Sequence, residues 1–192
     1  MLQYIKMVIK TEEDIKQLIE SDKWMMQVLH AAEELDLPDW WIGAGFLRNK
    51  VWNTIEGNNS HSNSDVDLVY FNSEDIQPET DWSYDEMMSQ DYPIADWEIR
   101  NQARMHTKNN FEPYISTADG ISNWVETATC TAVKLENGKL KLLFCHGIDD
   151  LVNLVARPIE RFQTIELIDT FNNRIQKKDW QKKWPHLKIK LA

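Results

Sequence analysis

Asp65 and Asp67 stand one residue apart in the apolar run DVDLVYF, residues 65–71. Aspartate is a poor strand former and costly to bury unpaired, so something must compensate for the pair. Residues i and i+2 of a strand point the same way, which puts both carboxylates on one face. Two carboxylates that close repel each other unless a cation lies between them. A hard divalent ion with oxygen ligands, Mg²⁺ or Mn²⁺, is the usual solution. The alternative is an exposed edge strand whose acids discourage aggregation. Glu98 bears on that choice, because Trp97-Glu98-Ile99 is again an acid between apolar residues in a strand-like run. If the two strands are neighbours, Glu98 completes a three-carboxylate site. Such a site can hold two ions about 3.5–4 Å apart, one activating a nucleophile and one steadying a triphosphate leaving group. Taken alone, Glu98 could equally be a salt-bridged edge residue with Arg100 and Arg104 as partners.

Gly43 and Gly45 precede these acids. Glycines let backbone approach an anion, and a helix that follows them aims its N-terminal amides at it. A Gly-x-Gly turn by itself is most often just a tight strand-to-helix turn. Glycine turn, helix, paired aspartates and a later acid, in that order, form a far more specific combination.

Other elements must position these residues. Thr11 and Asp14 form a capping-box-like start for a helix running to residue 35, with Ser21-Asp22 restarting it. Trp40-Trp41-Ile42 reads as a short strand, residues 45–56 as an amphipathic helix, 57–64 (GNNSHSNS) as a polar loop and 65–71 as a strand. The stretch Glu74–Gln90 is acidic and weakly patterned, and reads as a loop leading to a short helix around Tyr84–Gln90. A second strand follows Pro93. Residues 121–135 and 139–145 flank Glu136-Asn137-Gly138, a hairpin signal. Leu151–Val155 reads as helical, and a last amphipathic segment spans about Thr164–Lys178. The fold class is therefore α/β, with strands and helices mixed.

At 192 residues the expectation is a single domain, with a core over about residues 24–160 and a basic helical extension over about 161–192. The formal net charge is -10, from 31 acidic and 21 basic residues, which argues against non-specific nucleic-acid binding. The basic segment RIQKKDWQKKWPHLKIK, residues 174–190, is read as a solvated helix with aromatic anchors in preference to a phosphate-binding surface. The nine tryptophans are read as core and cleft walls. Cys130 and Cys145 are expected as buried reduced thiols, without the spacing of a metal site. No export signal or membrane-spanning run is visible, so a cytoplasmic location is expected.

The order of motifs over residues 41–99 resembles the DNA polymerase β-type nucleotidyltransferase superfamily, with its hydrophobic–Gly–Gly/Ser turn, Dx(D/E) strand and later third acid. Six blocks carry a closer resemblance: GAGFLRNKVWN, SDVDLVYF, DWEIRNQARMH, EPYISTADGISNWVETATCTAV, HGIDDLVNLVARP and the terminal W…WPHLKI. Together they look like a bacterial nucleotidyltransferase-like family similar to the head domain of CCA-adding enzymes. The resemblance implies a nucleotidyltransferase fold, a small mixed sheet with helices packed against it. It also implies transfer of a nucleoside monophosphate from an NTP, with Mg²⁺ or Mn²⁺, to a small-molecule or protein acceptor. Residue by residue it implies phosphate approach at Gly43 and Gly45 and metal ligation by Asp65, Asp67 and Glu98.

The chain departs from the pattern in three ways. Its turn is Gly-Ala-Gly, without the hydroxyl that often touches a phosphate. The interval from Gly45 to Asp65 is longer than usual. The domains by which most CCA-adding enzymes grip tRNA are not expected within these 192 residues, which disfavours a nucleic-acid acceptor. The alternative function is an inactive nucleotide-binding or antitoxin-like regulatory module that retains the fold.

Further candidates stay open between two roles. Arg48 and Asn49, one turn into the glycine helix, could line the pocket or form a helix-surface pair. Arg104 could meet a phosphate or pair with a nearby acid. His106 is expected as a satisfied buried histidine. His61, with Ser60 or Ser62, could close over a nucleotide or be solvated. Thr117, Asp119 and Thr127 could touch a second substrate or cap a helix, and Asp149-Asp150 should cap one.

Overall fold

The computed structural model describes residues 8–58 and 65–190. Its helices begin where the sequence offers caps. The Thr11 hydroxyl accepts from the Asp14 amide and the Asp14 carboxylate accepts from the Thr11 amide, closing the capping box of α1 (Glu12–Glu20). Asp22 accepts from the Trp24 and Met25 amides and starts α2 (Lys23–Glu34). The chain continues through β1 (Trp41–Gly43), α3 (Gly45–Glu56), β2 (Val66–Tyr70), α4 (Pro78–Asp91) and β3 (Trp97–Asn101). A 3₁₀ stretch, Gln102–Asn109, leads to α5 (Thr117–Ser122), then to the hairpin of β4 (Thr131–Glu136) and β5 (Lys139–Phe144). The remainder is α6 (Asp149–Val152), β6 (Val155–Ala156), α7 (Ile168–Lys178), α8 (Trp180–Lys183) and β7 (Lys188–Ile189).

The main sheet has the order β3-β2-β1-β4-β5. Only β2 and β3 are parallel, joined through α4, and the other pairs are antiparallel. Asn137 and Gly138 turn the β4–β5 hairpin with φ of 53° and 69°, the two positive values that a type I′ turn needs. A separate parallel pair joins β6 to β7.

Strand alternation divides the side chains of β2 and β3 between two faces. Val66, Leu68, Tyr70, Trp97 and Ile99 enter the large core with Leu29, Leu47 and Trp52. Val69 joins a smaller cluster with Ile121, Cys130, Ala132 and Phe162. Asp67, Glu98 and Arg100, offset by one from the core residues, lie on that second side of the sheet. The large core also takes in the end of the chain: Trp180 and Trp184 stand edge-on to Trp52.

Three expectations need correction. Residues 78–91 form a 14-residue helix rather than a loop leading to a short helix around Tyr84–Gln90. Periodicity could not show it, because the only buried residues of α4 are Asp81 and Met88, and a polar network holds it in place. Asp81 accepts from the Tyr70 hydroxyl at 2.7 Å and the Asn101 amide at 3.0 Å, and it pairs with Arg104. Leu151–Val155 is split between the end of α6 and the start of β6, with Leu154 turning the chain at φ 52°. Trp82 is 56% exposed and so is neither core nor cleft wall. Both cysteines are free; Cys130 is buried and Cys145 half-buried.

Candidate active site

β2 and β3 bring the predicted acids together. Asp67 and Glu98 are paired positions across the parallel ladder, on strands about 4.8 Å apart. Asp65 stands at the entry to β2 and is exposed, whereas Asp67 and Glu98 are half-buried. The three acids border a cleft with two lobes, of about 240 and 450 Å³, which share Ala44, Asp65, Asp67, Arg174 and Lys178.

The glycine turn divides its work differently from expectation. Gly43 is covered: a Cβ there would lie 2.5 Å from the Trp124 ring, so its missing side chain makes room for an indole rather than for a ligand. Gly45 opens α3 at the smaller lobe, and a Cβ there would press on the Asn49 amide at 3.2 Å. Between them Ala44 holds φ 52° and ψ -118°, a conformation that favours glycine. Ala44 offers no side-chain cap, which leaves the first amides of α3 available to an anion in the lobe.

Arg48 and Asn49 both line that lobe, and both are buried. Arg48 donates to Asn49 Oδ1 at 2.9 Å and to Thr129 Oγ1 at 3.2 Å, and its guanidinium lies 4.4 Å from the Trp180 ring. It has no ion-pair partner among the described residues, and burial lowers its pKa to about 10. The Thr129 hydroxyl donates to Glu126, whose other oxygen accepts from Arg174 at 2.6 Å. A chain of contacts thus runs from α3 to α7.

The opposite wall is basic. Arg174, Lys178 and Lys183 line the cleft beside Trp180 and Trp184. Lys178 and Lys183 are exposed and Trp180 and Trp184 buried, as a solvated helix with aromatic anchors requires, and the same cations also border the cleft. The available signal was the spacing of Arg174 and Lys178, which puts them on one face of a helix, combined with tryptophans that tie that helix to the core.

Electrostatics marks the acids as a place for a cation. Asp67 is pushed up to about 6, by burial first and by the charge of Glu98 next. It accepts no hydrogen bond among the described residues. Half-buried hard oxygen donors facing one another, without a nearby cation bonded to them, suit a divalent ion by their chemistry. No group of three His, Cys, Asp or Glu is already arranged for a metal among the described residues. Asp67 and Glu98 are the fixed pair, and Asp65 follows directly on residues outside the description.

The remaining candidates lie elsewhere. Arg104 pairs with buried Asp81 behind β3 and lines neither lobe, so of its two open roles it takes the ion pair and not the phosphate contact. His106 bonds the Ala103 carbonyl at 3.0 Å and stands edge-on to Tyr114. Asp119 accepts from Ile115 and Asn123 at α5. Thr127 donates to Asp150, which also pairs with Arg157 at 2.8 Å. Ser60, His61 and Ser62 lie outside the described residues.

Comparison with known structures fits this geometry. An NMR structure described as revealing a CCA-adding enzyme head domain is 27% identical, with a TM-score of 0.88 over 97% of this chain and 100% of that one. A CCA-adding enzyme in complex with CTP is 14% identical, with a TM-score of 0.57 over 92% of this chain and 43% of that one. A tRNA-processing enzyme in an apo form reaches 0.50 at 16% identity, over 85% and 44%. The last two likenesses show the fold alone, and the chain spans less than half of either enzyme. No curated protein matches the sequence. The profile of one family does match, over residues 30–189, and on that span the chain belongs to the nucleotidyltransferase family.

Proposed function

We propose that the protein transfers a nucleoside monophosphate from an NTP to a small-molecule or protein acceptor, with the help of Mg²⁺ or Mn²⁺. The observation that carries this reading is the opposition of charges across one cleft. Asp67 and Glu98 stand in register on adjacent strands, while Arg48, Arg174, Lys178 and Lys183 line the facing lobe with the start of α3. A triphosphate needs that second wall and a divalent ion needs the first. The 27% identical head-domain structure and the CTP complex of a CCA-adding enzyme make an NTP the natural donor.

Asp67 and Glu98, joined by Asp65, would hold the ion, which when bound supplies positive charge to the acceptor oxygen and the leaving phosphates. The residues of this chain do the rest. The free amides of α3 and the cations of Arg48, Arg174, Lys178 and Lys183 orient the β- and γ-phosphates. The acceptor oxygen bonds to the α-phosphorus as the bond to the bridging oxygen of pyrophosphate breaks. The acceptor proton passes to the carboxylate side, and the basic wall takes the charge that develops on pyrophosphate.

Labelled NTPs with Mg²⁺ or Mn²⁺ and a mixed acceptor pool should release pyrophosphate, and Asp67→Ala should slow release by about 10³-fold. Calorimetry that finds neither metal nor nucleotide binding, with Asp65→Asn and Asp67→Ala unchanged from wild type, would sink the reading. A second reading, nucleotide binding without transfer, is favoured by Ala44 in place of a hydroxyl and by the lack of a ready-made three-acid group among the described residues. It predicts NTP binding with no turnover on any acceptor.

A further inference from the structure

The larger lobe is shaped and charged for a different occupant from the smaller one. Its volume, about 450 Å³, suits a small molecule rather than a macromolecular surface. Its acids, Asp65, Asp67 and Glu98, all belong to the reaction end. Beyond the acids the walls are aromatic and basic, and the aromatic part begins at the reaction end, where the register of β1 and β2 sets Gly43 beside Asp67. Trp124 is pinned against Gly43, where a Cβ would lie 2.5 Å from its ring, and Tyr114 is 8% exposed. The Tyr114 hydroxyl makes no hydrogen bond among the described residues although the residue lines the lobe.

The cations of this lobe are not equivalent. Arg100 is bound to Asp85 at 2.6 Å and Arg174 to Glu126 at 2.6 Å. Lys178 stands at the junction and borders both lobes. Lys108, on the 3₁₀ stretch after β3, borders the larger lobe alone and has no ion pair among the described residues. Asp65 and Glu98 stand at the start of the parallel strands β2 and β3, whereas Lys108 follows the far end of β3, and this gives the lobe a direction.

Resting on the transferase reading above, we infer that the acceptor is a small hydroxyl compound carrying a phosphate or carboxylate group. Its hydroxyl lies at Asp67 and Glu98, its body against Trp124 and Tyr114, and its anion at Lys108. The bond made is from that hydroxyl oxygen to the α-phosphorus, pyrophosphate is released, and the hydroxyl proton leaves to the carboxylate end. The chain thus uses an anionic handle, remote from the reacting centre, to hold the acceptor in register.

The test uses the full chain and matched probes: ribose 5-phosphate against ribose, and glycerol 3-phosphate against glycerol. Direct binding is read by calorimetry without NTP, so it does not depend on transfer. The phosphorylated probes should bind at least about tenfold more tightly than their neutral twins. Lys108→Glu, an exposed position, should remove that preference, and Lys108→Arg should keep it. NTP binding should be unchanged in both. Equal binding of the neutral twins, no binding of either phosphorylated probe, or an effect of Lys183→Glu in place of Lys108→Glu would each overturn the inference. So would a single-stranded RNA that binds more tightly than the sugar phosphates and depends on Lys108. Loss of NTP binding or turnover, with probe binding intact, would strike the transferase reading and leave the anionic lobe standing.

Discussion

Two aspartates 14 residues apart in the chain, Asp67 and Asp81, lie on either side of β2 and live under opposite rules. Asp81 is fully buried and fully partnered, accepting from the Tyr70 hydroxyl and the Asn101 amide and pairing with Arg104. Asp67 is less buried, accepts nothing among the described residues, and faces another carboxylate. The cation that acts on it most strongly, Arg48, is itself buried and lacks an ion pair among the described residues. A structural acid closes its hydrogen bonds within the protein. A working acid is held open, at a cost in stability, for something that arrives later.

Breaking the closed network should have the largest effect. Asp81→Ala strands the Arg104 charge, the Tyr70 hydroxyl and the Asn101 amide, and should cost about 3–5 kcal/mol of stability. Urea denaturation measures it, and a loss below about 1 kcal/mol would show that α4 does not depend on this network.

The open acid should behave in the reverse sense. Its raised pKa means that the folded state holds the Asp67 proton more tightly than the unfolded chain does. The penalty is therefore absent below the ordinary carboxylate value, grows as pH rises, and is complete above about 6. Asp67→Asn should then stabilise the protein by about 2 kcal/mol at pH 7.5 and by almost nothing at pH 4. Mn²⁺ should raise the melting temperature of the wild type at pH 7.5, lose that effect as pH falls through 6, and leave Asp67→Asn unmoved. Equal melting temperatures for wild type and Asp67→Asn across this range would remove the distinction between the two acids.

The smallest effect concerns the turn beneath them. Ala44 occupies a glycine-like conformation at φ 52°, so Ala44→Gly should relieve strain and stabilise by about 1 kcal/mol, less whatever the freer unfolded chain takes back. Differential scanning calorimetry resolves a change of that size, and a fall in melting temperature would show that the alanine methyl is packed to advantage.

The contrast between the two acids also explains what could be read from the sequence. Asp67 and Glu98 were legible because each sits at the odd position of an apolar alternation, and a strand has only two faces. The capping box at Thr11 and the Asn137-Gly138 turn were legible for the same local reason. Asp81 was not, because its partners come from β2, β3 and the 3₁₀ stretch, and α4 buries too little apolar surface to leave a helical period. Arg104 stayed open between a phosphate and a nearby acid because its partner, Asp81, lies in a segment that read as loop. The basic segment was legible as a solvated helix with aromatic anchors, but its place beside the cleft was not. The anchors were expected, but not that they dock on Trp52, more than 120 residues earlier, and so carry the cations to the side of Asp67. The covering of Gly43 by Trp124 joins positions 81 residues apart, and nothing in either segment announces it.

Those tryptophans have a consequence beyond packing. Trp180 and Trp184 border the smaller lobe and Trp124 the larger, with Arg48 over the Trp180 ring and a lysine amine 4.6 Å from the Trp184 ring. Indole emission shifts with the polarity and charge around it. Each compartment of the cleft therefore carries its own chromophore, and single tryptophan-to-phenylalanine replacements separate their signals. Without any added label, the protein is an optical gauge of which compartment has filled, and in which order.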